Sequence, residues 1–288
     1  MNIAIFADVH GRVLLCFALC ARWQRETGEH IDLILQCGDL GAFPNPARLD
    51  RATLRYAQRD PSELGFAQHF TQVQSEVAAV LEETTCPLIF VRGNHEDHAW
   101  LDRLEAQTDA ALFAVDAYQR VWCLKTGVPY THRVGDEALT ILGVGRIGPK
   151  DAHKAARAQY IQPAERERLR SLEHVDLDIL LTHDSAQDFV TRGYGMADIR
   201  LLLDRYRPRY HFYGHTGKPL DVRPDANSTT TSCKLTDLHW DTRASGKPLE
   251  ASGMGILRWH SRTDQRFAVV DAAWWREYTM GGWIGRRL

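Results

Sequence analysis

The sequence predicts an α/β fold with an at least partly parallel sheet, and three observations carry that reading. Short apolar runs, several rich in Ile, Val and Phe, recur along the 288 residues, as buried strands do. Helix-like stretches alternate with them. From about residue 219 strand and turn signals replace the helix signals. In chain order, strands are expected at 3–7, 31–35, 88–91, 139–144, 179–181, 210–213, 255–257 and 267–270. Helices are expected near 12–26, 67–83, 98–106, 163–173 and 196–206. Alternation of this kind is the signature of parallel β-α-β units. Residues 41–66 form a long insertion, and the part after 219 reads as the strand-rich end of a single domain spanning 1–288. No internal repeat or low-complexity segment interrupts the pattern.

A formal net charge of -2 excludes any global electrostatic pull toward nucleic acid or membrane, so an acidic partner must be met by a local patch. No apolar run approaches the ~20 residues of a membrane span. The chain opens directly in a strand-like run, without the basic start and cleavage site of a signal peptide. A cytoplasmic location is therefore expected. The six cysteines (Cys16, Cys20, Cys37, Cys86, Cys123, Cys233) include no C-x-x-C and read as reduced core thiols. Asn227-Ser228-Thr229 matches a glycosylation sequon, but with no secretory signal it is read as chance.

The residues at the strand ends carry the chemistry. Asp8-Val9-His10 comes after the first strand, Gly38-Asp39 after the second, and Arg92-Gly93-Asn94-His95-Glu96 after the third. Thr182-His183-Asp184 comes after the run at 179–181, and Gly214-His215-Thr216 after the run at 210–213. Each fragment alone is commonplace: a turn, a helix cap, a satisfied core histidine. In open α/β sheets, however, ligands bind outside the carboxyl ends of the strands, and here five such ends carry Asp, His or Asn. Imidazole, carboxylate and amide oxygen together suit Mn, Fe, Zn or Co. Asp8 and His10, two residues apart on extended chain, point to one side. One carboxylate such as Asp39 has two oxygens and can bridge two ions. Gly38, Gly93 and Gly214 permit tight turns and close backbone approach.

As an ordered set over residues 8–216, D-x-H, G-D, G-N-H-E, H and G-H resembles the calcineurin-like metallophosphoesterases. The resemblance implies a four-layer αββα sandwich of two mixed sheets flanked by helices. It implies two divalent ions, manganese ahead of iron, zinc, cobalt or nickel. Asp8, His10 and Asp39 would hold one ion, and Asp39, Asn94, His183 and His215 the other. His95 would protonate the leaving oxygen, and Arg92, just before the Gly93 turn, would meet charge on the phosphoryl oxygens. Within the family, residues 31–39 and their spacing to Gly93-Asn94-His95-Glu96 look most like RNA lariat debranching enzymes.

Two departures matter. The family usually closes its last motif as G-H-x-H, whereas this chain reads Gly214-His215-Thr216-Gly217. Gly217 has no side chain to offer, so weaker or more selective binding at the first ion is expected. Debranching enzymes carry Cys where this chain has Asp8.

The expected activity is hydrolysis of a phosphate ester, as a phosphodiesterase on a nucleotide or nucleic acid. The alternatives are a phosphomonoesterase, or a degenerate module that binds nucleotide and turns it over slowly. Weaker signals stand beside this. Arg48, Arg51, Arg55 and Arg59, at three- and four-residue steps in the insertion, would share a helix face able to meet phosphates; a solvated face, ion-paired with Asp50, Asp60 or Glu63, is the plainer reading. Trp274, Trp275, Tyr278 and Trp283, with Arg276, Arg286 and Arg287, offer base stacking or, more simply, packing of the tail onto the body. Gly143-Val144-Gly145-Arg146-Ile147-Gly148 spells G-x-G-x-x-G, but Pro149 comes next and a strand-end turn is the expected reading. His183-Asp184-Ser185 names the members of a hydrolase triad, yet neighbours in sequence seldom form one.

Overall fold

The computed structural model describes residues 1–149, 153 and 155–283. Two mixed sheets pack face to face, with helices on their outer faces. The larger is built on three adjacent parallel strands, β1 (Asn2–Phe6), β2 (Leu33–Gln36) and β3 (Leu88–Phe90). On one side it continues through β5 (Val121–Leu124), parallel to β3, to the antiparallel edge strand β4 (Leu112–Ala114). The second sheet holds β6 (Tyr130–Val134), β7 (Glu137–Val144), β8 (Ile179–Thr182), β9 (Tyr210–Tyr213), β10 (Asp221–Pro224) and β11 (Thr231–Lys234). In it β7, β8, β9 and β11 run parallel, with β6 and β10 antiparallel at the edges. The chain then returns to the first sheet as β12 (Gly255–Trp259), antiparallel to β1, and β13 (Gln265–Val269) at its other edge.

Side-chain alternation makes the layers. Ile3 and Ile5 of β1 face the inter-sheet core with Ile179, Leu181 and Phe212, while Ala4 and Phe6 face outward. On that outer face lie α1 (Val13–Thr27), α3 (Gly65–His69), α4 (Ser75–Glu82) and α5 (His98–Glu105). Leu142, Val144 and Leu180 face the other way, against α6 (Pro163–Ser171) and α7 (Ala197–Tyr206). The two-sheet sandwich flanked by helices is thus the observed architecture.

Several expectations change. The single helix expected at 67–83 is two, α3 and α4. Phe70 is fully buried, and its carbonyl accepts from Ala117 N at 2.9 Å instead of from the next helical turn. The backbone N–H of Gln74 then donates to Tyr118 Oη at 2.9 Å. Strands β4, β5, β6, β10 and β11 have no separate counterpart among the expected strands. The insertion holds only a short helix, α2 (Arg51–Ala57), between 3-10 turns at Pro46–Arg48 and Pro61–Leu64. Trp274, Trp275, Tyr278 and Trp283 are buried in the α1 layer, and Trp275 Nε1 donates to Glu250 O at 2.8 Å, so packing and not base stacking occupies them. Arg286 and Arg287 lie outside the described residues. Among the described residues no helix is long and apolar enough to cross a membrane.

His211 in β9 shows how tightly polar groups are fitted between the elements. The Thr182 hydroxyl donates to Asp184 O at 2.6 Å. His211 Nε2–H therefore donates to Thr182 Oγ1 at 2.9 Å, and Nδ1 accepts from the Ser232 hydroxyl at 3.1 Å. Burial pushes the ring down to about 3. The folded chain keeps it neutral, while the unfolded chain takes up a proton below about 6.5. Its contribution to stability is complete above that pH and is lost as the pH falls toward 3. In urea unfolding between pH 7 and 4, His211→Gln should flatten the loss of stability by about 1.4 kcal/mol per pH unit.

Candidate active site

Five strand ends meet at one edge of the sandwich. β1, β2 and β3 deliver Asp8 and His10, Asp39, and Asn94 and His95; β8 and β9, from the other sheet, deliver His183 and His215. Because each set is parallel, their carboxyl ends emerge together. One ligand atom from each of Asp8, His10 and Asp39 lies within 4.8 Å of the others, and the same holds for Asp39, His183 and His215. Asp39 is common to both groups. Asn94 Oδ1 stands 3.1 Å from His183 Nε2, joining the second group.

The chain accepts local strain to make this arrangement. His10, Asp39 and His215 all take left-handed backbone, with φ of 44°, 52° and 61°. Such conformations in non-glycine residues cost of order 1–3 kcal/mol and persist where surrounding structure dictates them. Here it does. Val9 N and His10 N both donate to Asp39 O, at 3.2 and 2.9 Å. His215 N donates to the Asp8 carboxylate at 3.1 Å. His95 N donates to Asp39 Oδ1 at 2.7 Å. Buried Glu96 ties the loops together from behind, accepting from Leu40 N at 2.8 Å and Ala42 N at 2.6 Å. The glycines make room: a Cβ on Gly93 would overlap Asp39 Oδ1, one on Gly214 would overlap Asp8 Oδ1, and one on Gly38 would stand 2.6 Å from His183 Nδ1.

The electrostatics suit a cation. Burial, with the charges of Asp237 and Asp39, pushes the Asp8 carboxyl up to about 7. Asp39 behaves oppositely: burial resists its charge, but His183, His95 and His10 hold it well below the usual carboxylate range. Burial also opposes a charge on His183, yet Asp39 raises that ring to about 10. His183 Nδ1 donates to Cys37 O at 2.9 Å, which turns Nε2 toward Asp39 Oδ1, 3.3 Å away. A proton held at Nε2 between two oxygens occupies the kind of place a metal ion takes, and the carbonyl behind is the usual orienting partner of a ligating histidine. Burial lowers His10 and His215 to about 4 each, so both rings are neutral and their lone pairs available. The donor set fits divalent ions.

His95 is set apart from these. Its Nδ1 lies 2.8 Å from Asp50 Oδ2. Burial resists the charge, but the Asp50 hydrogen bond with the charge of Asp39 raises the ring to about 9. Asp50 itself is fixed as the N-cap of α2, accepting from Ala52 N at 2.8 Å and Thr53 N at 3.0 Å. Sequence reasoning passed over Asp50 as a surface counter-ion. The available signal was its position as a capping residue ahead of Thr53, which fixes a carboxylate but does not say what it faces.

Two expectations about arginines are corrected. The Arg92 guanidinium turns away from the cavity: it is buried, pairs with Asp102 and lies 2.6 Å from Glu105 Oε2, and so braces α5. The four insertion arginines do not share a helix face, because α2 spans only Arg51–Ala57. Arg48 pairs with Asp97 at 2.6 Å, and Arg55 lies over the Tyr56 ring at 5.0 Å. Of the four, Arg59 lines the cavity over the ligand groups. That cavity, of about 750 Å³, also takes in Tyr56, Asp237, His239 and Lys247. A second, of about 560 Å³, opens on the far side of Asn94 and His215 and is walled by Tyr160 and Tyr194. Among the described residues no helix begins at Gly148, so the G-x-G-x-x-G run is a strand-end turn.

The model of the calcineurin-like phosphoesterase family (Metallophos) matches residues 1–219. The chain belongs to that family. It is a hydrolase of phosphate esters, in a family that depends on metal ions. No curated protein sequence matches it. Among solved structures, TT1561 of Thermus thermophilus is similar with 15% identity, a TM-score of 0.49, and coverage of 93% of this chain and 98% of that one. A putative 5'-nucleotidase from Staphylococcus aureus has 12% identity and a TM-score of 0.42, over 93% of this chain and 53% of its own. A 5'-nucleotidase from Candida albicans has 14% identity and a TM-score of 0.40, over 89% and 46%.

In this phosphoesterase the glycine at the third strand end is testable by packing alone. Gly93→Ala should cost about 1–3 kcal/mol in urea unfolding, as overpacking of a filled site does. Gly281→Ala, where a Cβ meets nothing within 4 Å, should change little.

Proposed function

We propose that the cavity is a two-metal phosphodiesterase site acting on a nucleotide or nucleic acid. The observation that carries this reading is the pair of ligand groups sharing Asp39. Asp8, His10 and Asp39 would hold one ion; Asp39, Asn94, His183 and His215 would hold the other. Divalent ions at such a pair supply Lewis-acid charge to the phosphoryl oxygens and acidify water; we take manganese as the first candidate, ahead of iron, zinc, cobalt or nickel. The chain's own residues do the rest. Asp50 holds His95 protonated at Nδ1, and His95 Nε2, which makes no hydrogen bond among the described residues, carries the proton a leaving alkoxide needs. Arg59 and Lys247, on the wall of the larger cavity, place positive charge where a further phosphate would lie.

The preference for a diester comes from the two cavities. They meet at Asn94 and His215, so a phosphorus placed there has room for a substituent on each side. A monoester would fill one side only. We also take the chain to work in the cytoplasm, as a single domain.

The test is hydrolysis of bis- and mono-(p-nitrophenyl) phosphate by chelator-stripped protein refilled with each metal. Turnover should return with metal, should favour the diester, and should vanish in Asp39→Ala. His95→Ala should keep its metal and lose about 10²–10⁴-fold in rate on a poor leaving group. Full activity in His95→Ala on such a substrate would remove His95 from its role, and preference for the monoester would move the reading to a phosphatase.

A further inference from the structure

The group formed by Asp8, His10 and Asp39 is short of ligands. Three side chains do not complete a divalent ion's shell, and Gly217, which faces the same cavity, brings none. Nothing stands within 4 Å of where its Cβ would be. We propose that Asp237 supplies the missing side chain of this first metal site. The inference rests on the two-metal reading given above.

Topology places Asp237 there. β11 runs parallel to β9, with Lys234 paired to Tyr213 in register, so both strands end at the same edge. His215 lies just past the end of β9, and Asp237 just past the end of β11. Leu238 N then donates to Asp8 O at 2.8 Å, which anchors the Asp237 turn against the Asp8 loop. Asp237 lines the cavity that holds Asp8, His10 and Asp39. Asp60 and Glu63, the other two carboxylates on that wall, are taken up by Arg12.

Asp237 is held, but not consumed. The fully buried Lys234 ammonium donates to Leu235 O at 2.8 Å and to Asp237 Oδ1 at 2.7 Å. Oδ2 accepts no hydrogen bond among the described residues. Lys234 therefore fixes one oxygen and leaves the other for the ion. Asp237 lies outside the tight group of three, so it completes the shell through a side-chain turn or one intervening water, and either route gives the same readout.

The experiment counts bound metal. Chelator-stripped full-length chain would be titrated with Mn²⁺ by calorimetry, with metal content after gel filtration as a second measure. The parent protein should bind two ions per chain. Asp237→Asn, whose amide oxygen still accepts from Lys234, should weaken one of the two by about 10–100-fold, the range lost when a metal's supporting group is removed. Its thermal melt without metal should stay cooperative although shifted down by the lost charge beside Lys234, separating loss of a ligand from loss of fold. Gly217→His added to Asp237→Asn should restore the second ion, and a restored ion also demonstrates a folded site. Two ions bound by Asp237→Asn with unchanged affinity would overturn the proposal while leaving the two-metal reading intact. No ion bound by the parent protein, or identical binding by Asp39→Ala, would overturn both.

Discussion

A buried carboxylate at the junction of two sheets organises this molecule. Asp39 sits at the end of a central strand with almost none of its surface in water. An unpaired charge in that position would be costly, and the surroundings are arranged to receive it. His95 N donates to it, His183 faces it from the opposite sheet, and Gly93 has no Cβ to exclude it. Its own backbone is left-handed, and its carbonyl caps the turn that carries His10. The two ligand groups exist because both contain this one residue. Removing it would separate Asp8 and His10 from Asn94, His183 and His215.

The sandwich serves that junction. Parallel order in β1–β2–β3 and in β8–β9 brings five loops to one edge, while the apolar layer between the sheets fixes their separation. Interiors are close-packed and transmit small displacements, so loop positions track strand positions. Charged residues that look functional in isolation turn out to brace this frame. Arg92 ties the third strand end to α5, Glu96 ties two loops from behind, and Arg12 ties the start of α1 to the insertion through Asp60 and Glu63. The insertion repays that anchoring by presenting Asp50 to His95.

The long separation in sequence between the parts of the site has a consequence for its chemistry. His95 and Asp50 are held by the insertion and the third strand end, apart from the sheet that supplies His183 and His215. The proposed proton donor nevertheless stays tied to the proposed ligands: Asn94 is its neighbour on the same strand end, and His95 N donates to Asp39 Oδ1. The cavities do divide between the two sides. One side is walled by the insertion and the segment after β11, the other by the segments just past β7 and β8.

Strand-end residues were legible in the sequence because they obey a local rule. A short apolar run leading into Asp, His or Asn, often with glycine nearby, states both the strand and the group that emerges from it, and Asp8, His10, Asp39, Asn94, His95, His183 and His215 all follow such runs. The same alternation of apolar runs and helix-like stretches carried the α/β class, while the layered sandwich was implied by the family resemblance. What no local rule contains is direction across space. Arg92 stands one residue from Gly93 yet faces away, because Asp102 and Glu105 on α5 attract it more than an open cavity does. The helix expected at 67–83 divides because Ala117, distant in sequence, takes the carbonyl of Phe70. Asp50 and Asp237 carry no motif; the first is placed by a helix cap and the second by the pairing of β11 with β9. Periodicity and spacing are properties of neighbours along the chain, and so the sequence determines many of the elements and the candidate ligands at their ends. Which charged group turns toward the site depends on the partners that packing brings within reach, and only the tertiary structure decides that.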